Sequence, residues 1–92
     1  MSNLRFVVGV AVSIMAGVAL AQSGADVVKA KGCLNCHAVD QKKVGPAFRE
    51  IAAKSKGKSD ALVAKLKGGT GHPKIAASDA ELKAAVDYVL SR

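Results

Sequence analysis

Cys33-Leu34-Asn35-Cys36-His37 holds both cysteines of the 92-residue chain and one of its two histidines. Two thiols stand three positions apart, and an imidazole directly follows the second. That order is the attachment signature of a c-type haem. Two thiols add across the two vinyl groups of one haem edge, and the adjacent His falls under the iron as its proximal ligand. Two other chemistries compete for these residues. A thiol–disulfide C-x-x-C motif needs a βαβ setting, and no stretch here alternates with period 2 for long enough to make strands. A zinc site could draw on Cys33, Cys36, His37 and His72, but His37 directly after Cys36 is awkward for tetrahedral chelation by both.

The residues before the motif show where the chain is sent. Arg5 is the only charge before Asp26, and residues 6–21 form an apolar run ending Ala19-Leu20-Ala21. A positive start, a short apolar stretch and a small-x-small ending read as a secretory signal cut after Ala21. The run is short of the ~20 residues that span a bilayer comfortably, which argues against an uncleaved anchor. The expected domain plan is a signal peptide over 1–21 and one domain over 22–92, exported to the periplasm, with no membrane insertion once the signal is gone.

The 71 residues that remain hold only 15 Val, Ile, Leu and Phe side chains, and Phe48 and Tyr88 are their only aromatics. That share sits near the ~20% below which chains tend to stay disordered. A chain of this size needs help beyond its own core. One domain of this length also excludes a two-domain enzyme. The net charge of 22–92 is +6. Export makes nucleic acid an improbable partner, and an acidic redox protein suits the charge better.

Hydrophobic spacing and capping signals predict four short helices, at about 23–31, 47–56, 59–67 and 78–91. Ser23 or Asp26 caps the first. Phe48, Ile51 and Ala52 fall on one face of the second, and Leu62, Val63 and Leu66 mark the third. Ser78-Asp79-Ala80-Glu81 is a capping box for the fourth, with Leu82, Val86, Val89 and Leu90 inward and Asp87 outward. The class is all-α, with short helices and long loops.

Beyond the motif, Lys31-Gly32, Val44-Gly45-Pro46-Ala47, Ile51-Ala52-Ala53-Lys54, Lys67-Gly68-Gly69, Ser78-Asp79 and Tyr88-Val89-Leu90-Ser91 occur in an order that resembles the small bacterial class I cytochromes c, the short periplasmic monohaem type. The resemblance covers roughly 25–92. It implies a cytochrome c-like fold of four short helices around one haem c, bound covalently through Cys33 and Cys36. It implies crossed terminal helices, with Val28 and Gly32 facing Tyr88. It also implies that the Pro46 carbonyl accepts from His37 Nδ1–H, and that Phe48, Ile51, Leu62, Leu66, Ile75, Val86 and Val89 touch the haem.

One departure from the family is sharp. Its usual sixth ligand is a Met before the last helix, yet Met1 and Met15 both lie in the expected signal. In the family the Met-Pro pair stands six residues before the capping Ser, and here that place holds His72-Pro73. The expected metal ligands are therefore His37 and His72. Lys74 as the ligand, or an open sixth position, remain the alternatives. Two imidazoles imply electron transfer, not catalysis, at a lowered potential. An open iron would imply binding or sensing of a gas. Lys42, Lys43 and Lys74 are the candidate lysines for a weak acidic partner, and the protein is expected to be a monomer or a weak dimer.

Overall fold

The computed structural model describes residues 23–92 and is all-helical there. The signal reading of 1–21 and its cleavage point lie outside the described residues. Helix α1 spans Gly24–Ala30, a 3-10 turn spans Cys33–Asn35, α2 spans Phe48–Lys54, α3 spans Ser59–Gly68 and α4 spans Asp79–Leu90. Among the described residues no helix is long and apolar enough to cross a membrane.

Helices α1, α2 and α4 start where local chemistry satisfies free N–H groups. Ser23, not Asp26, caps α1: its side chain accepts from Asp26 N–H. Ser78 and Glu81 close both arms of the capping box on α4. The Ser78 backbone N–H, followed by its side chain, holds the Glu81 carboxyl below its ordinary value. Helix α2 has no capping side chain. Its first N–H groups bond instead to the loop before it, Phe48 to Ala38 O at 2.9 Å and Arg49 to Val39 O at 3.0 Å. Arg49 and Asp40 add an ion pair at 2.9 Å. The segment that follows His37 is thereby strapped onto the start of α2.

Helix α4 is the hub and packs on α1, α2 and α3. Where α1 crosses α4, a β-carbon on Gly24 would overlap the Ala84 carbonyl oxygen and Tyr88 Cβ, so only glycine allows this approach. Gly24, not Gly32, is therefore the glycine that meets Tyr88. Gly32 instead takes φ +74 and opens the 3-10 turn. The buried apolar residues are Val27 and Val28 of α1, Ala47 and Phe48 at α2, and Leu82, Ala85 and Val86 of α4. Phe48 meets Tyr88 edge-on at 6.5 Å between centroids. Helix α3 buries none of its side chains. Its Leu62 and Leu66, one turn apart, face an opening in the middle of the molecule.

Candidate functional site

The opening is a cavity of about 700 Å³. The wall on the motif side comprises Cys33, Cys36, His37 and Pro46. Phe48 and Ile51 enter from α2, Leu62 and Leu66 from α3, Val86 and Val89 from α4. His72 and Ile75 close it from the segment before α4. The structure thus brings all the candidate site residues around one space. Lys74 does not line it. Val28, Gly45, Lys65 and Ala85 also line it and were not among the expected haem contacts. The packing of α1 on α4 brings Val28 and Ala85 in, and short-range patterns do not encode that packing.

The 3-10 turn explains the thiol spacing. Cys36 N–H bonds to Cys33 O at 3.2 Å and His37 N–H bonds to the same oxygen at 3.0 Å. Side chains three apart in a 3-10 turn eclipse one another, so both sulfurs lie on one side. The cysteines are not paired with each other. Burial pushes the Cys33 thiol up, partly offset by its own backbone N–H. A redox C-x-x-C motif depresses a thiol instead. The zinc alternative also fails on geometry: among the described residues no three or more His, Cys, Asp or Glu side chains group as metal ligands would.

His37 is held tightly. Its Nδ1–H donates to the Pro46 carbonyl oxygen at 2.6 Å, which leaves Nε2 bearing a lone pair. The Phe48 ring stacks on it at 5.4 Å. Gly45 also lies against the imidazole, and its N–H bonds to Cys36 O at 2.7 Å. A β-carbon on Gly45 would overlap the imidazole. Gly45→Ala is therefore expected to cost about 1–3 kcal/mol by overpacking, measured as a lower urea midpoint. His72 carries the same tautomer, its Nδ1–H donating to Pro73 O at 2.7 Å. The two imidazoles are nearly parallel, 5° apart, with centroids 6.1 Å apart.

An apolar cavity with two thiols on one wall and an imidazole beside them fits a flat tetrapyrrole tethered at one edge. The fit extends to the size of the space, far above what a void of ordinary packing would be. The cytochrome c family matches residues 21–92. Cytochrome c-552 of Nitrosomonas europaea is 42% identical over 82 residues, covering 77% of this chain and 80% of that protein. Cytochrome c-551 of Azotobacter vinelandii is 41% identical over 80 residues, covering 76% and 98%. The crystal structure of wild-type Nitrosomonas europaea cytochrome c552 superposes with a TM-score of 0.64 at 38% identity, covering 73% of this chain and 96% of that one. The chain belongs to the small class I cytochromes c, and its cofactor is one haem c joined to Cys33 and Cys36.

Proposed function

We propose that this protein is a periplasmic electron carrier whose haem iron sits between His37 and His72. The observation that carries the reading is the imidazole pair. The two rings line one cavity, nearly parallel and with centroids 6.1 Å apart, so together they could hold a haem iron. In both rings Nδ1 is occupied by a carbonyl and Nε2 is left to bind. Lys74 lies outside the cavity lining.

The haem, when bound, supplies a one-electron Fe(III)/Fe(II) couple. The chain does the rest. Pro46 and Pro73 carbonyls fix the two imidazole tautomers and raise their basicity. Residues 22–92 contain no methionine, so the ligand that raises the potential in this class is missing. The stronger donation of two imidazoles favours the ferric state and lowers the potential. No substrate is transformed, so the protein is a carrier and not an enzyme. Reversible one-electron titration with low-spin absorption bands in both oxidation states is the expected result. A high-spin ferric spectrum would contradict it.

The docking face follows from what is left exposed beside the motif. Leu34 is 39% and Val44 83% exposed, the large apolar side chains most open to solvent among the described residues. Lys42 and Lys43 adjoin Val44, and Lys43 Nζ donates to Leu34 O at 3.0 Å. The nearby Asp40 is already paired with Arg49. An apolar spot rimmed by free positive charge suits an acidic redox partner, docked briefly. Lys42→Glu with Lys43→Glu should slow electron transfer with such a partner about tenfold at low ionic strength, and much less at high salt. Stopped-flow kinetics across a salt series measures this. Export is checked by sequencing the N-terminus of the periplasmic protein, which should begin at Gln22.

A further inference from the structure

We propose that His72 is an exchangeable ligand. In the reduced protein a small neutral π-acceptor of the carbon monoxide class displaces its Nε2 from the iron, while His37 stays bound. The inference rests on the reading of His72 as the second iron ligand.

The two imidazoles are held in very different ways. His37 is fixed by neighbours from three segments. Its own N–H bonds back to Cys33 O, and its Nδ1–H bonds to Pro46 nine residues on. Gly45 packs on the ring and Phe48 stacks on it. The thioether tether at Cys36 is the adjacent residue. His72 has none of this. Its side-chain hydrogen bond goes to the carbonyl of the very next residue. That bond fixes the tautomer and ties the ring to its own strap, so it survives any movement of the strap.

The strap itself, residues 70–77, has a single backbone hydrogen bond to another element among the described residues, Ile75 N–H to Leu66 O at 3.0 Å. Its entry lies at Gly69 and Gly71, both in the left-handed region at φ +70 and +72. Glycine keeps wide conformational freedom there. Thr70, Pro73 and Lys74 are exposed, so nothing covers the strap from outside. Ile75 reaches into the cavity and holds its far end. Between the glycine pair and Ile75 the strap can swing outward and take His72 with it. Neither α3 nor α4 need move.

The exchange needs no oxidant or reductant. The Nε2–iron bond breaks and Nε2 keeps its lone pair. A bond from the incoming carbon to the iron replaces it. Ferrous iron donates electron density back to a π-acceptor, which imidazole accepts poorly, so the ligand gains where His72 loses. Competition with the strap weakens the apparent affinity by the fraction of molecules in which His72 is off. A strap released in ~1% of molecules makes binding about 100-fold weaker than in a protein lacking His72.

The test is rapid mixing of the reduced full-length haem protein with carbon monoxide, followed by absorption. The expected rate rises with carbon monoxide and then levels off at the rate at which His72 leaves. His72→Ala should remove the plateau and tighten the apparent affinity by about tenfold or more. Ile75→Ala, which frees the far end of the strap, should raise the plateau. A reduced protein that is low-spin and unchanged by saturating carbon monoxide overturns the inference. A reduced protein that is already high-spin, with a rate strictly linear in carbon monoxide, overturns the bis-histidine reading and this inference with it.

Discussion

A variant with Cys33→Ala and Cys36→Ala, purified free of haem, should show no cooperative unfolding transition. The cavity beside the two cysteines is about 700 Å³. Residual cavities cost about 24 cal/mol per Å³, which gives roughly 17 kcal/mol for a closed void of that size. This one opens to solvent and its walls can collapse. Even a third of the figure, about 6 kcal/mol, exceeds the ~3–5 kcal/mol that a core of this size supplies. That core is seven side chains, three of them alanine or phenylalanine at one helix start and in α4. Helix α3 has no buried side chain without the haem to cover Leu62 and Leu66. Far-UV circular dichroism against urea reads the result. A sigmoidal transition in the haem-free variant would show that the protein alone suffices.

His72→Met should move the reduction potential upward by on the order of 100 mV, within the ~0.8 V that axial ligation can span. A thioether is a weaker donor than imidazole and favours the ferrous state. The strap allows the exchange, because nothing but Pro73 holds the His72 ring by a hydrogen bond. Potentiometric titration of both proteins in one buffer measures the shift. An unchanged potential would place the sixth ligand elsewhere.

Much of this molecule could be read from short-range chemistry. The capping box at Ser78 and Glu81, the cap at Ser23 and the i, i+3, i+4 faces are local features. So all four helices were legible, to within a residue or two at most ends. Helix α2 ends at Lys54, two residues short of the expected range, with Ser55 as its C-cap. The thiol spacing of the motif was legible because a 3-10 turn fixes both sulfurs on one side. Long-range contacts were legible only through the family resemblance, as with the His37–Pro46 bond and the crossing of α1 and α4, and not from the residue pattern itself. Gly24 sits within the crossing of α1 and α4, yet in the sequence it is one glycine among nine. Gly45 marks a close approach to His37 that only the folded loop creates. Val27 is buried although α1 is too short for its periodicity to separate inner from outer faces. The shortage of large apolar residues in 22–92 has a counterpart in the fold: half-buried side chains of α2, α3 and the strap converge on one cavity, not on each other.

Iron binding by His72 carries the redox chemistry proposed for this protein. Electron paramagnetic resonance of the ferric protein, compared with His72→Ala, tests it most directly. The parent should give a low-spin signal, replaced by a high-spin signal in His72→Ala. A low-spin signal identical in both proteins would contradict it.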